Sequence, residues 1–275
     1  MPEACYTLPG GMRLRLAVPD IPETMVLQAH VPGLVPGSEG GADLSLLHDP
    51  QQARNIAGDF PHMVLGCGWS AAKAADLPHL LYGMARRAWL EAGLYPVHAA
   101  CVSCGDGGAI LLVGHSGSGK TTLAQRLIER HGCKLLSGNK TLVRFDETGA
   151  LQAVAGTITM TALDKNRQRF AWRLPPDQYG EAPTPVRSIA IVRLNDGVAE
   201  EQRLSPMSAL HSLYPFFLDA VNADVIVGGT EVFDGAISGA ARKTLALRLQ
   251  DLLSGISVHA YSGSIEHLAQ KVTGL

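Results

Sequence analysis

The stretch Gly114-His115-Ser116-Gly117-Ser118-Gly119-Lys120-Thr121-Thr122 satisfies G-x-x-x-x-G-K-[ST] at every required position. These residue types in this order suit the gripping of a polyphosphate. Glycines reach backbone angles that other residues avoid, and they let the main chain approach an anion closely. Successive amide N–H groups then turn inward as an anion nest, and the positive N-terminal end of a following helix adds to it. Lys120 supplies a mobile full charge for the β- and γ-oxygens. The Thr121 hydroxyl is the candidate ligand for a Mg2+ ion bridging those oxygens. The plainer alternative is a Gly/Ser turn with an incidental lysine, so the flanking sequence has to decide.

That context is a strand before the loop and a helix after it. Residues 109–113 are a short continuous apolar run, expected as a strand covered on both faces. Residues 120–130 repeat at helical spacing, with Leu123, Ala124, Leu127 and Ile128 as the apolar stripe and Gly132 as the stop. Upstream, 97–102 reads as a strand, joined to the next by a turn at 105–108 that contains Asp106. Downstream, strands are expected at 134–136, 141–145, 151–155, 189–194 and 256–261, and helices at 208–218, 236–253 and 264–272. Residues 175–185 form a Pro-rich connection. The first 60 residues are rich in Pro and Gly, with short apolar pieces at 13–18 and 25–27 and a loop at 31–41. A helix follows at 71–92, carried by Leu77, Leu80, Leu81, Met84, Ala88 and Trp89.

The composition narrows the partners. Of 275 residues 46% are hydrophobic and 17% charged, with a net charge of −2, enough for a sizeable core. No basic surplus points to nucleic acid or an anionic membrane as a general partner. No apolar stretch approaches the roughly 18 residues that span a bilayer, and residues 1–18 lack the apolar core of a secretory signal. The expectation is a soluble, cytoplasmic protein. The five cysteines, Cys5, Cys67, Cys101, Cys104 and Cys133, are odd in number and are expected as reduced thiols. Cys101 and Cys104 form a CxxC with no second pair, so they are expected to be packing thiols and not zinc ligands.

Val97-His98-Ala99-Ala100, a glycine-containing hairpin, ILLVGHSGSGKTTLAQRLIERHG and KLLS at matching spacing together resemble the HPr kinase/phosphorylase family, and in particular its smaller related proteins. The resemblance is strong over 95–145. It is weaker at Val232-Phe233-Asp234, the long helix and Ser257-Val258-His259. It implies an α/β fold with the P-loop core shared with phosphoenolpyruvate carboxykinases, here residues 94–275, behind a β-rich accessory region at 1–93 that ends in a helix. It also implies ATP- and Mg2+-dependent phosphoryl transfer to a hydroxyl of a protein or small molecule. His98 takes the place of the family's histidine near the transferred phosphate. Homo-oligomers are common in the family.

One departure matters. Where the family carries paired aspartates, the first its proton acceptor, this chain has Ser137-Gly138-Asn139-Lys140. Gly138 accepts no proton and the Asn139 amide stays neutral. Asp146 and Asp164 are candidate replacement carboxylates, although Asp146 also reads as a plain turn residue. Asn139 is a candidate to orient a water or metal ligand, and Lys140 to pair with an anionic substrate. Asn139-Lys140 does not extend to a guanine-reading NKxD, because Leu142 stands where the aspartate is required, so ATP is the expected nucleotide. The leading expectation is a kinase for a small-molecule or peptide acceptor, with His98, Lys120, Asn139 and Asp146 as candidate catalytic residues. A non-catalytic nucleotide-binding regulator is the alternative, and a ligase-like activator or simple NTPase the third.

Overall fold

A computed structural model describes residues 1–38, 40–105, 108–163 and 169–274. Asp106 and Asp164 lie outside the described residues. The chain divides into two compact units, Met1–Ala92 with Ala220–Ser238, and Gly93–Asp219 with Gly239–Leu275.

The first unit is built on a six-stranded sheet in the order Val35–Pro36, Glu3–Thr7, Arg13–Ala17, Leu44–His48, His62–Leu65, Ile56–Asp59. Alternation explains the strands: in Arg13–Ala17, Leu14 and Leu16 are buried while Arg13 and Arg15 are exposed. The expected loop at 31–41 contributes its two-residue edge strand, and the apolar piece at 25–27 is part of a short helix, Thr24–Gln28. Helix Ala71–Glu91 starts at Ser70, whose hydroxyl caps the Lys73 amide, and buries Leu77, Leu80, Leu81, Met84 and Trp89.

The resemblance implies one block over 94–275; residues 220–238 cluster with the first unit. The reason is close packing on helix Ala71–Glu91. The hairpin Val225–Val227/Glu231–Phe233 lies against Gly83, where a Cβ would already meet Val225 at 3.2 Å and Phe233 at 3.3 Å. Arg86 donates to the Gly235 carbonyl at 2.9 Å, the Gly228 amide donates to Asp76 at 2.9 Å, and Ser238 donates to Glu91 through both its amide and its hydroxyl. Val232-Phe233 therefore packs as part of this hairpin within the first unit.

The second unit is a mixed sheet around strand Thr184–Leu194. Its later residues pair in parallel with Gly108–Val113 on one side and Val258–Gly263 on the other, while Thr184 and Pro185 pair antiparallel with Leu151–Gly156. Beyond Gly108–Val113 come Ala99–Cys104 and Lys134–Ser137. Beyond Leu151–Gly156 come Thr141–Phe145 and Leu94–Val97. The parallel trio directs three carboxyl ends to one side, the side on which open α/β sheets bind ligands. Helices Lys120–His131 and Ile265–Thr273 bury Leu123, Leu127, Leu268 and Val272 against Ile110, Leu112 and Val192.

Two sequence expectations are corrected here. The apolar run at 97–102 is two strands, Leu94–Val97 and Ala99–Cys104, which break at His98 and pair with different neighbours. The thiols are not all reduced packing groups: Cys104 is joined to Cys133 by a disulfide, whereas Cys101, Cys5 and Cys67 are free. Register explains the pairing. Lys134 lies opposite Ser103, so the next antiparallel pair is Cys133 with Cys104. Burial pushes the Cys101 thiol far up, leaving it inert. Among the described residues no helix is long and apolar enough to cross a membrane.

Candidate functional site

The loop at 114–119 leaves the carboxyl end of Gly108–Val113 and enters helix Lys120–His131. Space and backbone angle both demand its glycines. A Cβ on Gly114 would lie 2.5 Å from Ser118 Oγ and 2.8 Å from the Val192 carbonyl. Gly119, at φ +92°, would meet Leu194 Cβ at 2.4 Å. The turn is closed by Ser118 N–H donating to His115 O at 3.1 Å, and it is tied to the sheet by Leu194 N–H donating to Ser118 O at 2.8 Å. The helix has no side-chain cap and no acidic residue in its first turn, which leaves first-turn amides to an anion. His115, Ser116, Gly117 and Thr122 are exposed, Ser118, Gly119 and Thr121 half-buried. Lys120 is 6% exposed and donates to Gly114 O at 2.6 Å and His115 O at 2.9 Å.

Three other elements bring groups to this loop. Thr121 Oγ1 lies 3.5 Å from the carbonyl oxygen of Gly138, which places the Ser137–Lys140 turn beside the candidate metal ligand. Thr157 holds that turn: its carbonyl accepts from the Gly138 amide, and its hydroxyl accepts from the amides of Asn139 and Lys140. His98 sits at the strand break, its amide donating to Phe216 O at 3.4 Å, and the Phe216 ring packs on His115 at 5.0 Å between centroids. The third element is the corner after helix Pro206–Phe217, and it supplies Asp219.

Asp219 was not among the candidates read from the sequence. Its residue is 2% exposed, and its charge acts on Lys120, Lys140 and His98. Three local preferences oppose an aspartate here. Its φ is +42°, a left-handed conformation usually filled by glycine after a helix. It follows the negative end of a helix dipole. It is also a carboxylate removed from water. The lysine charges offset these costs, a pattern of local rules broken for a site. No nearby sequence motif marks it. The sequence Phe216-Phe217-Leu218-Asp219 reads simply as a helix end.

Electrostatics set the protonation of the cluster. Burial lowers Lys120 to about 8, with Asp219 opposing, and does the same to Lys140, which is 6% exposed. Both stay largely charged at neutral pH. Burial, then the charges of Lys120, Lys140 and His115, push His98 down to about 4 against the pull of Asp219. His98 is therefore a neutral imidazole whose Nδ1 is buried with no hydrogen-bond partner among the described residues. A depressed histidine supports the folded state above its ordinary value near 6.5 and loses that support as pH falls towards 4. The His98 ring resonances should thus stay fixed in NMR spectra from about pH 5.5 to 8 and inflect near 4. An inflection near 6.5 would mean that the ring is not in this field.

Asp146 is placed elsewhere. It ends the strand Thr141–Phe145, five residues beyond Thr141, or about 16 Å at strand rise. Its carboxylate accepts from Thr148, Ala150 and Gln152, which hold it below the usual carboxylate range. Those bonds describe a turn residue, and nothing brings it to the loop. Among the described residues no group of three or more His, Cys, Asp or Glu is arranged for a metal ion. What the site offers is an amide-lined loop, two lysines, a neutral histidine, a hydroxyl and one carboxylate.

A family model described as an AAA domain matches residues 110–176, from the strand before the loop through the turn at Gly138 and beyond. That is less than half of the chain. No curated protein matches it. The match supports a P-loop nucleotide-binding core of the kinase-like kind and does not single out the HPr kinases.

Proposed function

We propose that the chain is an ATP- and Mg2+-dependent phosphotransferase, related to the HPr kinases, that moves the γ-phosphoryl group to a small-molecule or peptide acceptor. The observation that carries this reading is the loop at 114–119: Gly114 and Gly119 with no room for a Cβ, Gly117 at a positive φ, an uncapped helix N-terminus and a buried lysine held against it. Those features fit a triphosphate. Loop amides and Lys120 would hold the phosphates, and Thr121 would hold Mg2+, which neutralises charge on the β- and γ-oxygens when bound. Phosphoryl transfer depends mainly on positioning and charge neutralisation. A general base typically adds about 10²–10⁴-fold, so loss of the aspartate pair at Gly138-Asn139 lowers the rate without removing the reaction. Asp219 contributes a carboxylate to the same charge cluster.

Gly138-Asn139 also favours a second reading, a regulator that binds nucleotide without turning it over. The two separate in one assay. The purified protein is incubated with γ-labelled ATP and Mg2+, with and without a panel of hydroxyl, carboxylate and phosphate acceptors. ADP formation that depends on an acceptor is the expected result. Inorganic phosphate released without any acceptor makes the protein an NTPase. Tight binding with no product under any condition makes it a regulator.

A further inference from the structure

We propose that Lys140 is the γ-phosphate-reading cation of this site, held in place by Asp219, and that the pair makes the protein discriminate triphosphate from diphosphate. The inference rests on the nucleotide-binding reading of the loop and extends it to a residue outside the loop.

Position comes first. The turn that carries Lys140 abuts Thr121 through Gly138 O. Thr157 fixes the Lys140 backbone, and Ser137 Oγ donates to Lys140 O at 2.7 Å. Lys140 is almost fully buried, so it is not a solvated surface lysine. Its charge reaches His98, as does that of Lys120, and both lysines interact with Asp219. Residues 98, 120, 140 and 219 thus share one field although they come from four separate elements.

Charge comes second. With His98 neutral, the charges among the described residues that act on one another here are Lys120 and Lys140 with the carboxylate of Asp219, two positive to one negative. Buried surplus charge is costly unless a counter-charge is supplied, and a phosphate supplies it. The loop amides and Lys120 suffice for a diphosphate. The additional charge of a triphosphate falls to a cation beyond the loop, and Lys140 lies two residues from Gly138, whose carbonyl neighbours the hydroxyl expected to hold Mg2+. Asp219 acts through Lys140, as a positioning residue.

The test is calorimetry with Mg·ATP and Mg·ADP. The wild-type protein should bind ATP about tenfold or more tightly than ADP, the size of one added charged hydrogen bond. Lys140→Met alone would remove one of the two lysine charges that face the Asp219 carboxylate, so the variant is Lys140→Met with Asp219→Asn, which removes both charges together. Its ADP affinity should change by far less than its ATP affinity, so that the preference for ATP collapses. A purely structural pair would weaken both nucleotides alike or neither. Two results overturn the proposal: an unchanged ATP/ADP ratio in the double variant, or a wild-type protein that binds both nucleotides equally. Should wild type bind neither nucleotide, the nucleotide-binding reading itself fails, and that outcome is distinct from the other two.

Discussion

Lys120→Ala should abolish measurable binding of both ATP and ADP. The side chain lies against the loop, its ammonium bonded to the carbonyls of Gly114 and His115. It is the one full positive charge carried by the loop sequence itself. Each charged hydrogen bond to phosphate is worth about 1.5–3 kcal/mol, and a lysine that bridges two phosphates stands to lose two, on the order of 10²–10⁴-fold in affinity. Alanine at this position removes the two bonds to the loop carbonyls but keeps Gly114, Gly117 and Gly119, which set the loop backbone, so the fold should persist. The wild-type protein carries a matching pH signature. Burial brings Lys120 to about 8, so nucleotide affinity should be level below about pH 7 and should decline as pH rises through 8 and the ammonium loses its proton. Calorimetry on the variant, alongside its thermal unfolding, checks the claim. An alanine variant that is folded and binds ATP within about threefold of wild type would remove the loop as the phosphate site.

The loop was legible because its physics is local. Nine contiguous residues fix the nest, and the strand before it and the helix after it follow from short-range periodicity. The rest of the site depends on pairing that sequence does not display. His98 breaks a run of apolar residues, and only the switch of pairing partners, from Thr141–Phe145 to Gly108–Val113, shows that two strands meet there. The Cys104–Cys133 bond follows from the register of Lys134 with Ser103 across 29 residues of chain. Asp219 is the clearest case. It lies far along the chain from Lys120 and Lys140, and its local setting argues against an acid. Only burial beside two lysines gives it a role. The hairpin at 225–233 follows the loop in sequence, whereas its packing on Gly83 is a matter of space.

Gly138→Asp, which places a carboxylate where the HPr kinases that the sequence resembles carry one, should not raise turnover, and it should cost the protein about 2–4 kcal/mol of stability. Read as sequence, Gly138 looks like a lost proton acceptor. In the structure there is no room for one. A Cβ at Gly138 would lie 2.3 Å from the Thr159 carbonyl oxygen, 2.9 Å from its carbon and 3.3 Å from Met160 Cα. All three are backbone atoms, which cannot swing aside as a side-chain tip does. The turn cannot retreat either, because the amides of Gly138, Asn139 and Lys140 are all bonded to Thr157. An added side chain must therefore push apart two backbone segments that the Thr157 bonds hold together. That shift carries Lys140 away from Asp219 and Gly138 O away from Thr121. The melting temperature should fall by roughly 5–10 °C. Gly138→Ala separates crowding from charge, since it adds the Cβ without the carboxylate and should show most of the same loss. An alanine variant that melts with wild type would mean that the turn has slack and that the missing aspartate is a plain loss of the base. If alanine is as damaging as expected, the segment at Thr159 and the glycine at 138 are one adaptation. Proton acceptance by a residue at 138 is then closed to this chain by packing, and the buried carboxylate in its charge cluster is the one that arrives from Asp219.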